Sequence, residues 1–284
     1  MDSFKMPATT PVLPRESFVH LIGRAVTSLV QLVGDIGLFA LCIVPKLFRG
    51  VPSSRVFVPL CFQIGVRSVS VIMITGGFIG MVLAVQSFNQ FRLLHMENRM
   101  GAMITLSLVT ELGPVLAATM LSGRIGSAIA AELGTMKVTE QIEALRALGA
   151  NPVQHLVVPR FLACLLMIPL LTAVADATGI LTGWLFSTEI LGINGFHYWH
   201  HVNKFITAWD FLSGLTKSIF FGAIIAIIAC HRGFHSEGGA EGVGRAATEA
   251  FVYSFVTILV VDFFLGVFSN NLYYLIWPNP LVTG

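Results

Sequence analysis

Glu111, Asp176, Asp262 and Lys217 each interrupt a long apolar run, and ionisable groups in such company are the first places to look for chemistry. Carboxylates there could carry protons, hold a cationic group or pair with a lysine. Each costs about 2.5–3.5 kcal/mol at the middle of a membrane span, so they should face protein or water rather than acyl chains. Lys217 lies near one end of its run, where it could meet Glu111 and Asp262. The same trio would serve equally as a polar pin between helices with no substrate contact. Two histidine groups also stand out: His231 with His235, four residues apart, and His197 with His200 and His201. Zinc hydrolysis would need a general base and an open coordination position beside them, and no His-Glu-x-x-His occurs. They read as interfacial polar residues. Cys42, Cys61, Cys164 and Cys230 stand alone in apolar contexts, as packing residues do. A phosphate-cradling loop needs Gly-x-x-x-x-Gly-Lys-Ser/Thr, and none of the lysines follows a glycine. No nucleotide-binding loop of that kind is therefore read on this chain.

The elements that position these groups follow from composition. With 55% apolar and 11% charged residues and a mean hydropathy of +0.80, the chain lacks the polar surface to cover a water-soluble globule. A net charge of +2 gives no argument for a nucleic-acid partner. A span takes about 20 helical residues, and five segments qualify, at 64–88, 101–123, 161–187, 212–231 and 249–271. Before them, residues 1–16 are read as a disordered lead-in. Residues 17–55 hold an amphipathic helix with Phe18, Leu21, Ile22, Ala25, Leu29, Leu32, Val33 and Ile36 on one stripe. Because Arg24 and Asp35 lie between these and the later apolar run ends by Pro45, this helix is placed in the interface rather than across the membrane. The membrane domain proper occupies 56–284.

Thirteen of the 17 Lys and Arg fall in alternate intervals between the five spans, which puts the N-terminus in the cytosol and the C-terminus outside. Tyr198, Trp199, Trp209, Tyr273, Tyr274 and Trp277 then gather at the external boundary, where amphipathic rings prefer to sit. The predicted fold class is an all-α integral membrane protein with an interfacial helix and about five spans.

Small residues pattern the spans. Gly76 and Gly80 form a GxxxG step, and Ser122, Gly126 and Ala130 repeat every four positions, which suits either packing within the chain or a dimer seam. Gly113-Pro114 predicts a kink or interruption beside Glu111. Between the second and third spans, Thr139 is expected to cap a short helix with Glu140 in its first turn, an apolar ridge of Ile142, Leu145 and Leu148, and a stop at Gly149 and Asn151-Pro152. So short a helix is marginal alone. It needs either its own membrane domain or a groove on another protein, and flanking Glu140, Glu143 and Arg146 suit a groove.

The strings GGFIGMVLAVQ (76–86), TELGPVLAATMLSGRIGSAIAAELGTMKVTEQIEALRALGANP (110–152) and VPRFLA (158–163), with GRAATEAFV and DFFL near the end, carry a resemblance. Over residues 65–265 the chain resembles the MlaE/YrbE-type permeases of ABC transporters that serve MCE-domain lipid carriers, which maintain outer-membrane lipid asymmetry. The resemblance implies a homodimeric permease in the inner membrane of a double-membraned bacterium. A separate ABC ATPase would carry ATP and Mg and grip the helix through Thr139, Glu140, Ile142, Glu143, Leu145, Arg146 and Leu148, with no cofactor on this chain. A periplasmic MCE-domain protein would exchange lipid with it. It also points to Glu111, Lys217 and Asp262 as charged residues lining the membrane domain, and to Leu83, Phe88, Phe91, Leu94 and Leu112 as walls of an outward-facing lipid pocket. Pattern alone reads those five as lipid-facing or core. The chain departs from the family at Thr110, where members can carry a basic residue. Phospholipid or a related lipid is the implied substrate. An intramembrane enzyme using Glu111, Asp262 or the histidines, and a membrane scaffold without a conduit, are the alternative readings.

Overall fold

Apolar runs of this length satisfy every backbone N–H and C=O within the helix, the arrangement a bilayer demands. A computed structural model describes residues 18–47, 53–94 and 96–276. The predicted lead-in at 1–16 and Trp277 lie outside them. The described residues form helices α1 (Phe18–Leu47), α2 (Ser54–Leu93), α3 (Met100–Val138), α4 (Gln141–Ala147), α5 (Val153–Glu189), α6 (Gly195–Phe205), α7 (Ala208–Phe234) and α8 (Gly239–Ile276), with a 3-10 turn at Glu97–Arg99. The chain is an integral all-α membrane protein.

Among the described residues six helices are long and apolar enough to cross a membrane. Five contain the predicted spans and overrun them; α3, for instance, continues to Val138, through residues placed by sequence in a loop. The sixth is Val26–Leu47 of α1, because the apolar run after Asp35 belongs to one uninterrupted helix that includes Pro45. Within the chain α1 touches the bundle sparsely. Ile43 is buried, and Phe39 meets the His231 ring edge-on at 5.5 Å.

The bundle is held by close backbone contacts through glycine. On α2, a Cβ at Gly76 would lie 2.7 Å from the Ala175 carbonyl oxygen, and one at Gly80 would overlap the carbonyl of Gly179. Thr182 of α5 donates to the Gly77 carbonyl at 2.8 Å across the same seam. The GxxxG step is therefore an α2–α5 seam within one chain. Gly126 and Ala130 of α3 similarly meet Ile225 and Gly233 of α7. Lipid offers helices no hydrophobic reason to associate, so such close packing supplies the attraction.

Short connections make successive spans antiparallel and leave the bundle with two distinct ends. One carries α4 and the α7–α8 turn, where Arg232 pairs with Glu249. The other carries α6 and the start of α7. At that end Trp209 and Tyr273 approach to 6.3 Å. Tyr198 departs from the expected aromatic boundary: it is fully buried, packed over Gly101 in a cluster with Met100 and Ile104, because α6 folds back onto α3.

Gly80→Leu should cost at least about 3 kcal/mol, since the obstacle is backbone that cannot rotate away. Gly37→Ala, where nothing lies within 4 Å, should not lower stability. Thermal unfolding in detergent reads both, and an unshifted Gly80→Leu transition would refute the seam.

Candidate functional site

Three π-helical turns interrupt the α-helical spacing of α2 and α3, at Phe62–Val66, Leu108–Leu112 and Ser122–Gly126. The middle one realises the interruption predicted at Gly113-Pro114: the Gly113 amide bonds back to the Leu108 carbonyl, and Pro114 has no amide to restore the regular pattern. Glu111 sits inside this turn. Helix α7 reaches it because residue 214 is glycine; a Cβ there would overlap the Val109 carbonyl oxygen. Lys217, one turn further along α7, is thereby brought to the carboxylate.

Lys217 Nζ lies 2.6 Å from Glu111 Oε2 and 3.2 Å from Asp262 Oδ1 of α8. The second contact is an ion pair by distance without the alignment of a hydrogen bond. Gly266, one turn beyond Asp262, leaves space above the cluster: a Cβ there would come within 3.5 Å of Glu111 Oε1 and 3.6 Å of Lys217 Nζ. Lys217 is buried, with a side chain 4% exposed, whereas the Glu111 side chain is 51% exposed. Within one chain Glu111 stands on the rim of the cluster.

The cluster opens into a cavity of about 770 Å³ between α3, α7 and α8. Thr110, Ser213 and Asn270 add polar groups, and Trp209, Phe263 and Tyr273 add aromatic surface. Thr110 donates to the Leu106 carbonyl at 2.8 Å, so its hydroxyl is engaged by its own helix. Two carboxylates around one ammonium leave the cluster with an excess negative charge. The site can hold an amphipathic guest, with polar contacts along one wall and rings along another.

Sequence reasoning found this trio but not its surroundings. Ser213 and Asn270 carry no distinguishing pattern, and Tyr273 stands out only as a boundary ring. Gly214 and Gly266 do carry a pattern, since each lies three or four residues from a charged member. The proposed tail residues fall elsewhere. Leu83, Phe88 and Phe91 pack against the Met100, Ile104 and Tyr198 cluster, Leu94 is 66% exposed, and half-buried Leu112 lies in the π-turn. None of the five lines the cavity of the charge cluster. Asp176 is buried on α5 against Gly113, with one carboxylate oxygen lacking a partner.

At the opposite end, α4 differs from expectation in its start. Thr139 does not cap it; its hydroxyl donates to the Thr135 carbonyl as a continuation of α3. The cap is Glu140, held left-handed at φ 58° so that the chain reverses in one residue. The predicted stop is present: Gly149 at φ 78° donates to Arg146 O and Ala150 to Leu145 O, a Schellman arrangement. Asn151 Oδ1 then accepts from the Val153 amide and starts α5.

The ridge is divided. Ile142 is fully buried beneath α4, Leu145 is half-buried, and Leu148 is 83% exposed beside Glu140 and Arg146. Ile142 thus anchors the helix to its own bundle and is not free to fill a foreign groove. Glu143 is paired with Lys137 and lies 4.0 Å from Arg146. The Lys137 hydrogen bond holds its carboxyl below the usual range. Sequence reasoning also missed a clasp at this end: Glu132 of α3 accepts from Gln63 of α2 at 2.7 Å and from Arg160 of α5 at 3.1 Å.

The family described as Permease MlaE matches residues 57–268. The chain is 37% identical over 246 residues to a probable ABC transporter permease protein of Rickettsia prowazekii, covering 87% of this chain and 95% of that one. It is 43% identical over 204 residues to one of Synechocystis, covering 72% and 78%. It is 32% identical over 256 residues to the intermembrane phospholipid transport system permease protein MlaE of Haemophilus influenzae, covering 88% and 96%.

Removing only the ammonium would strand two carboxylates, so Lys217→Met should destabilise by about 3 kcal/mol. The triple change Glu111→Gln, Lys217→Met, Asp262→Asn should recover most of that loss. Unfolding in detergent measures both, and a Lys217→Met protein as stable as the parent would remove the ion pairs from the account.

Proposed function

From the premise that this chain belongs to the MlaE permease family, we propose that it is the membrane subunit of an ATP-driven phospholipid transporter in the inner membrane of a double-membraned bacterium. ATP and Mg are held by a separate ABC ATPase that grips α4. Lipid passes through the cavity of the charge cluster and is exchanged with a periplasmic MCE-domain carrier at the α6 end. The charge count that puts α4 in the cytosol supports this orientation.

The observation that carries the reading is the build of α4. A seven-residue helix cannot hold itself in water. This one is fastened by buried Ile142, by the Lys137–Glu143 pair and by the Schellman bonds at its C-terminal end, yet it turns Leu148 outward. Fastened below and apolar above, it is a handle. Force on it enters α3 through the Glu140 reversal and α5 through Asn151-Pro152. Along α3 the π-turns at 122–126 and 108–112 are the places where helical spacing is already relaxed, and the second contains Glu111. A shift there changes the distance to Lys217 and with it the shape of the cavity. No bond chemistry is required of this chain.

A second copy completes the site. Glu111 stands half-exposed on the rim of its cavity, and outward Phe263 of α8 lines the same cavity. A carboxylate left against acyl chains is costly, so homodimer contact along this face supplies the cover.

Leu148→Asp should reduce ATP-driven lipid transfer at least about tenfold, the loss expected for one apolar contact at the centre of an interface, while membrane insertion and melting temperature stay unchanged. Proteoliposomes containing the chain and its ATPase provide the measurement. Unaltered transfer would end the handle interpretation, whereas Ile142→Asp, by its burial, should fail earlier, at folding.

A further inference from the structure

At the end that carries α4, a second cavity of about 230 Å³ lies between α2 and α3, away from the charge cluster. Its apolar wall is Leu60, Ile64, Ile125 and Ile129, and two guanidinium groups, Arg67 and Arg124, line it as well. Glu132, the carboxylate on its border, is engaged by Gln63 and Arg160. Neither Arg67 nor Arg124 has an ion pair among the described residues; Arg124 donates one of its five N–H groups to Ser68 and keeps the others.

Arg67 is exposed and Arg124 half-buried, so both keep N–H groups free to meet an anion entering the cavity, beside four aliphatic side chains. Both walls are built from π-helical turns, Phe62–Val66 supplying Ile64 and Ser122–Gly126 supplying Arg124 and Ile125. Such turns open a helix where a guest must fit. A guanidinium fork matches the oxygens of a phosphate in a bidentate manner, and the aliphatic wall matches hydrocarbon.

We infer that this cavity is a binding site for the phosphodiester headgroup of a membrane lipid, with Arg67 and Arg124 holding the phosphate and the Leu60 to Ile129 wall receiving the first carbons of an acyl chain. It is separate from the cavity containing Lys217 and has the opposite sign of excess charge. Its occupancy does not require ATP or a partner, so it stands or fails independently of the transport reading. A lipid seated there would touch the π-turns of both helices and brace α2 against α3.

The test uses the full chain in detergent and counts bound lipid by native mass spectrometry. The probes are dioctanoyl phosphatidylglycerol, dioctanoylglycerol, which has the same chains and no phosphate, and inorganic phosphate as competitor. Arg67→Gln, an exposed position whose loss spares the packing, should weaken phosphatidylglycerol binding about tenfold and leave the melting temperature unchanged. Arg55→Gln, an equal charge loss on α2 outside the cavity, should have no effect. Dioctanoylglycerol should bind the parent and Arg67→Gln proteins alike, and excess phosphate should fail to displace the lipid. Equal phosphatidylglycerol binding by Arg67→Gln overturns the site. An equal loss in Arg55→Gln reduces it to surface charge and also overturns it. Displacement by phosphate alone would show an anion site without a lipid.

Discussion

Backbone meeting backbone through glycine is the constraint on which the other features rest. Within lipid the helices gain nothing by hiding apolar surface from one another, so their mutual attraction comes from atoms brought to van der Waals contact. Gly76 and Gly80 let α2 settle onto α5, and Gly214 lets α7 settle onto the Leu108–Leu112 turn. The second contact has a chemical result. It places an ammonium within 2.6 Å of a carboxylate in a region where neither would be tolerated alone. Substituting any larger residue at 214 separates the helices before it touches a charge.

The two ends of the bundle differ in charge. Glu111 and Asp262 outnumber Lys217 in the larger cavity, whereas Arg67 and Arg124 dominate the smaller one. On charge alone, a molecule with a cationic amine and an anionic phosphate would find its phosphate favoured near α4 and its amine favoured near the cluster. Between them, α3 passes both cavities and carries a π-turn at each. One helix thus runs from the cavity nearest α4 to the cavity at the opposite end of the bundle.

Sequence made the class and the span positions legible because hydropathy reports the solvent directly, and the apolar runs between charged intervals are long. The Glu111, Lys217 and Asp262 trio was legible for a related reason, since charges are rare in such runs and must find one another. The division of the α4 ridge was not. Ile142, Leu145 and Leu148 share a helical spacing, and nothing in it says that Ile142 turns toward the bundle while Leu148 turns away. Thr139 was misread as a cap because its residue type suits that role; the left-handed Glu140 that takes it is a type seldom found there. Tyr198 has the profile of a boundary ring, and only the fold of α6 over Gly101 buries it. The Gln63–Glu132–Arg160 clasp joins residues far apart in sequence.

Each π-turn contains one residue more than an α-helical turn would use, and this bears on how the chain can vary. Losing a residue from the 108–112 stretch would restore regular α-helix and take away the widened turn that presents Glu111, whereas losing one from a regular stretch of α3 would rotate everything beyond it by about 100°, carrying the packing faces out of register. Exchanges of side-chain type within α3 disturb one neighbour at a time, whereas gain or loss of a position displaces a whole surface. Among descendants of this gene, α3 should therefore drift in lettering while its length stays constant, and insertions should collect in the connections instead.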